Sequence, residues 1–455
     1  MESNRRIMLL VISDIISALL AIPMAFLIRY GKPPTALDIL DLGLFQVICF
    51  VLMLVFVSFI VEIYEQHRTL SVREISARIM LIIGFSMIIF AAISATTSAV
   101  EFGRWILTLS LMVFGCLQLL AHAGYRIYVK LRGLARKILI LGVGPLAGHM
   151  GAIIPLSDAN YILGGYVKCA DEAADVPADT ILGTTEHLYE MAKREKTDKI
   201  VVSISERRGA FPMRDVLACK MAGIEVIDAP SFYESMTGKL LLENITPSWF
   251  IFSEGFKVSA WRRIVKRTVD IACALVGIAL TLPLLPFIAL AIKLDSRGPI
   301  FFRQERFGER EKIFNLYKFR TMGVDAEKGT GAVWAQTNDP RVTRVGAFFR
   351  KSRIDELPQF INVLRGDMSL VGPRPERPEF IRKLKELIPY YSERHSVKPG
   401  VTGWAQVRYP YGASVEDALE KLRYDLYYIK HISLAFDLLI ILETIKVVLF
   451  RRGGR

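Results

Sequence analysis

This sequence lacks the ingredients of a disulfide framework or a protein metal cage. Its five cysteines, Cys49, Cys116, Cys169, Cys219 and Cys273, show no paired spacing, and three fall inside apolar runs, where they read as small core or lipid-facing residues. The six histidines are scattered, and no two have metal-ligand spacing. Acidic residues are in deficit: 45 Asp and Glu against 58 Lys and Arg leave a net charge of +13, which selects anionic partners. Zinc-finger, helix-turn-helix and RNA-recognition signatures are absent, so nucleic acid is not the expected partner. Membrane surfaces and phosphate-bearing ligands remain. Hydrophobic residues make up 52% of the chain with a mean hydropathy of +0.35, and the excess is concentrated in long runs. A chain of 455 residues accommodates about three domains.

Four apolar runs of spanning length occupy residues 7–28, 42–61, 79–100 and 105–123. The first is too long for a cleavable signal and lacks a small-residue cleavage site. Arg5, Arg6, Arg68, Arg73, Arg78, Arg126, Lys130, Arg132, Arg136 and Lys137 gather on one side. The other side has only Arg29, Lys32 and Arg104, offset by Asp38, Asp41 and Glu101. The spacing and charge bias predict a four-helix transmembrane bundle over residues 1–130 with both ends in the cytoplasm.

Residues 137–148 form a buried-strand pattern that runs into a glycine turn, where Gly142, Gly144 and Ala147 fit the dinucleotide fingerprint. Strand-like segments at 161–167, 199–203 and 224–228 alternate with helical ones, predicting a Rossmann-like α/β module over 137–245. Pro145 sits inside the turn, so two readings stay open: a cofactor site, or a structural or dimerising module.

A fifth apolar run, 269–292, contains Asp270, Pro283 and Pro286 and carries basic clusters at both ends: Arg262, Arg263, Lys266 and Arg267, then Lys293 and Arg297. A straight span would put one cluster on the wrong face. A proline-broken helix over 266–293 that enters and leaves the same leaflet does not.

The remainder, 260–455, reads as an α/β domain around one acidic pair. Segments 300–307 and 312–322 form a hairpin whose second strand puts Lys318 and Arg320 on one face by alternation. Asp355 and Glu356 precede Pro358, which opens a short helix that Gly366 can end in the left-handed conformation. Arg350, Lys351 and Arg353 stand before the pair, and Arg374 lies between Pro373 and Pro375 after it. Two adjacent carboxylates among arginines at a helix start exceed what capping needs and suit phosphate chemistry. An amphipathic helix over 376–388 and a turn entering a short strand at 398–407 follow. Next comes a helix opened by the capping box of Ser414 and Asp417, which carries Asp425 among tyrosines. In the last helix, 432–450, Ser433, Asp437, Glu443, Thr444 and Lys446 share one arc, and Arg451, Arg452 and Arg455 follow it. It lies either in the membrane interface or against the domain's own core.

The stretch from Lys266 to Leu449 closely resembles the catalytic domain of the bacterial polyprenyl-phosphate hexose-1-phosphate transferases, the phosphoglycosyl transferases. The resemblance is carried by Lys266-Arg267-x-x-Asp270, Phe301 to Arg306, Lys318 to Met322, Asp355 to Gln359, Gly366 to Ser369, Val371 to Pro375 and Thr402 to Gln406, in that order. Spans and a Rossmann-like module ahead of that domain look like the large four-span branch. The segments 374–380 and 409–414 look like the exopolysaccharide enzymes.

The resemblance implies transfer of a sugar 1-phosphate from a UDP-sugar to undecaprenyl phosphate with release of UMP, at the bacterial inner membrane with the catalytic domain cytoplasmic. Asp355 becomes the nucleophile and Glu356 the Mg2+ ligand. Lys318, Arg320, Arg350, Arg353, Arg374, Gln359 and Asp425 become substrate-binding residues, and Pro283 becomes the bend of the re-entrant helix. Leu282 stands where the family often has serine. Membrane lipids and a second copy of the chain are the expected partners. Two other classes compete: an NAD-dependent nucleotide-sugar dehydratase, for which Tyr189 and Lys193 mimic a dehydrogenase pair, and a non-enzymatic assembly scaffold.

Overall fold

The computed structural model describes residues 2–449 apart from 34–43, 62, 65–71, 97–103, 132–135, 156–160, 170–171, 205–210, 245–252, 254, 257–258, 325, 327–338, 410–411 and 413. Loop charges expected at Asp38, Asp41, Arg68, Glu101 and Arg132, parts of the 409–414 segment, and the tail arginines Arg451, Arg452 and Arg455 lie outside the described residues. The chain divides into two compact units, Met1–Phe232 and Tyr233–Arg455.

The first unit begins with helices α1 (Glu2–Tyr30), α2 (Leu44–Ile60), α3 (Val72–Thr96) and α4 (Arg104–Leu131). Their shared core joins Ala18, Ala21 and Ile22 of α1 to Phe50 and Leu54 of α2, Ile79 and Ile82 of α3, and Leu111 and Phe114 of α4. Small residues on α1 let the backbones approach where lipid gives no hydrophobic drive. The outward faces are apolar too, with Leu20, Leu52, Met80, Ile88 and Leu120 exposed, which suits a lipid surround and not water. Met8–Tyr30 and Trp105–Tyr125 are long and apolar enough to cross a membrane, whereas Leu44–Ile60 and Ile75–Ala91 are apolar but shorter. Of the four expected spans, two therefore reach full length among the described residues.

One buried polar cluster ties this bundle together. Asp14 accepts hydrogen bonds from Tyr64 (2.6 Å) and Gln118 (2.7 Å) and pairs with His122 (3.1 Å), while Gln118 also reaches Ser58 (3.1 Å). A carboxylate in an apolar bundle requires such partners.

Five parallel strands among the described residues form the sheet of the α/β module, in the order β3-β2-β1-β4-β5. They are β1 (Arg136–Leu141), β2 (Tyr161–Lys168), β3 (Ile181–Thr184), β4 (Lys199–Val202) and β5 (Glu225–Asp228), with α5 (Pro145–Ile153), α6 (Leu188–Arg194) and α7 (Met213–Met221) between them. Central β1 reads as a continuous apolar run because Ile138, Leu139, Ile140 and Leu141 are all buried. The order is that of a doubly wound sheet, as the alternation predicts; β3 had no sequence signal.

The second unit opens with α8 (Ala260–Thr281), a 3-10 turn at Leu282–Leu284, and α9 (Leu285–Asp295). Ala260–Asp295 is the third stretch long and apolar enough to cross a membrane. Pro283 sits in the turn, and the Thr281 hydroxyl donates back to the Gly277 carbonyl at 2.6 Å, a contact that favours bending. Strands β6 (Phe301–Phe307) and β7 (Ile313–Phe319) make the expected antiparallel hairpin. Next come α10 (Arg344–Ser352), α11 (Gln359–Arg365), β8 (Ser369–Val371), α12 (Pro378–Leu387), β9 (Gly400–Thr402), α13 (Val415–Lys430) and α14 (Leu434–Leu449). β8 and β9 pair in parallel. The segment expected to run from a turn into a strand at 398–407 is corrected at its end, because Trp404–Arg408 is helical. The capping box at Ser414 and Asp417 forms in both directions.

Asp437 and Lys446 of α14 are buried, and Thr444 meets Thr402 at 2.6 Å, while Leu434 and Leu438 are exposed. Ile440 is buried with them, and Phe436, Leu439 and Ile441 pack on the same core, so the helix rests on the domain through polar and apolar residues alike and leaves Leu434 and Leu438 outward.

Candidate active site

Three elements converge on the acid pair. α10 ends at Arg353, whose left-handed φ of 58° turns the chain directly into the 3-10 turn Ile354–Glu356. A non-glycine residue held there costs about 1–3 kcal/mol, so the surroundings must enforce it. Apolar neighbours do so: Ile354 and Leu357, flanking the acids, pack with Ile288, Ile292, Phe319 and Phe349. α11 follows Pro358 and ends at Gly366, whose φ of 89° only glycine adopts without strain. Arg267 of α8 caps that end, donating to the Val363 (2.5 Å) and Leu364 (2.8 Å) carbonyls. Phe360 presses on Gly277, where a Cβ would lie 2.6 Å from the ring.

The two carboxylates are buried and differently placed. Glu356 Oε1 accepts from Arg374 (2.8 Å), Lys318 (3.3 Å) and Arg353 (3.4 Å). Burial alone would raise its pKa, but Arg374, Lys318 and Arg353 outweigh burial and hold it well below the usual range. Asp355 has the opposite balance. Burial pushes its pKa up, against Lys318 and with the repulsion of Glu356, and its Oδ1 is buried with no hydrogen-bond partner. Burial also pulls the Lys318 ammonium down, with Arg374 and Arg306 adding to it against the pull of both acids.

The remaining expected residues divide. Lys318 and Arg374 stand on the acid pair, and Gln359 is buried at the start of α11. Arg350 donates Nε to Thr321 Oγ1 (3.0 Å), while its charge still acts on Asp355. Arg320, expected on the face of Lys318, has its guanidinium engaged elsewhere. It is buried and donates to the Ser296 carbonyl (2.7 Å) and hydroxyl (3.1 Å), at the end of α9. Asp425, expected to touch substrate, is 1% exposed and bound by Arg394 at 2.7 and 3.1 Å. Arg394 also donates to the Arg374 carbonyl (3.1 Å), which links Asp425 to the backbone of Arg374.

Two participants escaped the sequence reading. Arg394 carried no local signal. Arg306 had one: β6 places Phe302 opposite Lys318, so Gln304 and Arg306 share the Lys318 face, and Arg306 reaches Gln304 at 2.6 Å.

The donors suit Mg2+, which takes one or two protein carboxylates and leaves the rest of its shell to phosphate and water. Glu356, a buried carboxylate at the centre of the cationic cluster, is the donor of that kind here. Among the described residues no set of three or more His, Cys, Asp or Glu side chains could form a closed metal cage.

The bacterial sugar transferase family profile matches residues 261–451. The chain is 43% identical over 242 residues to a UDP-N-acetylgalactosamine-undecaprenyl-phosphate N-acetylgalactosaminephosphotransferase of Aeromonas hydrophila, covering 53% of this chain and 56% of that one. It is 36% identical over 330 residues to an undecaprenyl-phosphate glucose phosphotransferase of Komagataeibacter xylinus, covering 71% and 61%. With the exopolysaccharide production protein PSS of Rhizobium leguminosarum bv. phaseoli it shares 41% identity over 196 residues, 42% of this chain and 98% of that protein. The matched regions thus span 56% and 61% of the first two relatives.

Proposed function

Because the chain belongs to the bacterial sugar transferase family, we propose that it transfers a sugar 1-phosphate from a UDP-sugar to undecaprenyl phosphate, releasing UMP, as the first membrane step of exopolysaccharide synthesis. The observation that carries this reading is the asymmetry of the acid pair. Glu356 is fixed by three cations, whereas Asp355 keeps a buried oxygen without a partner. A desolvated, unpaired carboxylate oxygen is the better nucleophile.

In the first step an Asp355 oxygen attacks the phosphorus next to the sugar. The bond from that phosphorus to the bridging oxygen breaks, and UMP leaves with that oxygen. In the second, an undecaprenyl phosphate oxygen attacks the same phosphorus and Asp355 is released as carboxylate. Lys318, Arg353 and Arg374 bind and neutralise the diphosphate. Glu356 would hold Mg2+, which would supply further charge neutralisation at the phosphates.

The membrane parts support a re-entrant reading of α8 and α9. A straight helix would separate Ala274 from Ile288 by about 21 Å. Ala274 nevertheless clusters with Leu316 of β7, and Ile288 with Phe319 of the same strand. A bend at Pro283 reconciles the two, keeps the catalytic half cytoplasmic at the inner membrane, and sets the acid pair where a lipid phosphate lies. The exposed Leu434 and Leu438 of α14 fit the interface of that leaflet.

Purified protein given undecaprenyl phosphate and a panel of UDP-sugars tests the reading. UMP release with at least one sugar, dependent on the lipid, is expected. UDP-sugar binding without UMP release from any donor would refute it.

A further inference from the structure

The glycine turn of the α/β module already holds an anion, and the anion is its own. Successive backbone N–H groups of Val143 and Gly144, at the mouth of α5, donate to the two oxygens of Glu172 at 3.0 and 3.1 Å. In a dinucleotide fold these amides face the pyrophosphate. Glu172 stands 28 residues after Gly144, just past β2. An acid at the end of that strand ordinarily takes ribose hydroxyls. Here it reaches back to the amides.

The fit is close. A Cβ on Gly144 would lie 2.8 Å from Glu172 Oε1, so a side chain there would displace the seated carboxylate. The segment after Glu172 is fastened to the same turn, because the Asp175 N–H donates to the Val143 carbonyl at 2.7 Å.

We propose that Glu172 is a built-in plug that closes the phosphate cradle of this module, so that it takes a nucleotide diphosphate only when the carboxylate is withdrawn. The two N–H groups cannot serve carboxylate and phosphate together, and the two anions repel. Apparent affinity for a diphosphate is therefore lowered by the fraction of molecules in which Glu172 is seated. The inference is independent of the transfer chemistry at Asp355.

The probe is ADP, titrated into the full-length protein in detergent. Wild type should show no ADP binding that depends on Gly144. Glu172→Ala should gain a site at least about tenfold tighter, and adding Gly144→Val to Glu172→Ala should abolish the gain. Should Glu172→Ala fail to fold, Glu172→Gln, which keeps the shape and drops the charge, should show a smaller gain. Unchanged ADP binding in the folded variant overturns the proposal. So does a gain that survives Gly144→Val, or a Gly144-dependent ADP site already present in wild type.

Discussion

Arg374 grips Glu356 at 2.8 Å and leaves Asp355, the neighbouring residue, without that contact. The cation thus sorts two adjacent carboxylates into a fixed anion and a free one. Arg374→Ala should lower kcat/KM by about 100-fold, the scale of removing one charged donor from a transition state, with little change in thermal stability. An unchanged kcat/KM would remove Arg374 from the site.

The acid limb of the pH profile follows from Asp355. Burial raises its pKa, and the nucleophile is active only when ionised. Activity should therefore fall as pH drops through a value above the ordinary aspartate range. Glu356, held below its ordinary range, contributes no limb at that pH. A profile flat down to pH 4 would contradict this assignment.

Asp425 and Arg394 form a buried pair, exposed by 1% and 4%. Asp425→Asn leaves the guanidinium without its counter-charge and should cost about 3–5 kcal/mol of stability, seen as a lower Tm. A raised KM at unchanged Tm would show instead that Asp425 touches substrate.

His395 is buried, and burial followed by the Arg394 charge pulls its pKa from 6.5 down to about 4. Below pH 6.5 the unfolded chain takes up a proton that the folded chain refuses, so this group weakens the fold progressively until about pH 4. The loss amounts to roughly 3 kcal/mol. His395→Phe should narrow the drop in Tm between pH 7 and pH 4. Parallel curves for the variant and wild type would count against a neutral buried imidazole.

Local chemistry was legible in the sequence where it is local in the structure. The left-handed Gly366, the capping box of Ser414 and Asp417, and the β6–β7 hairpin each depend on residues a few positions apart. Placements set by distant partners were not legible. Alternation puts Arg320 on the face of Lys318, but gives no sign that Ser296, 24 positions away, receives its guanidinium. Asp425 stands among tyrosines in the sequence, and its partner Arg394, 31 positions back, gives no periodic signal. The fingerprint at Gly142 and Gly144 was visible; the carboxylate that fills it was not, since a reach from the far end of β2 leaves no pattern in the chain.

The most direct test incubates the protein with a UDP-sugar labelled in the sugar and withholds undecaprenyl phosphate. Wild type should retain label covalently on the peptide containing Asp355 and discharge it when the lipid phosphate is added, while Asp355→Asn should neither label nor turn over. Normal turnover by Asp355→Asn, or label carried on another residue, would contradict the account.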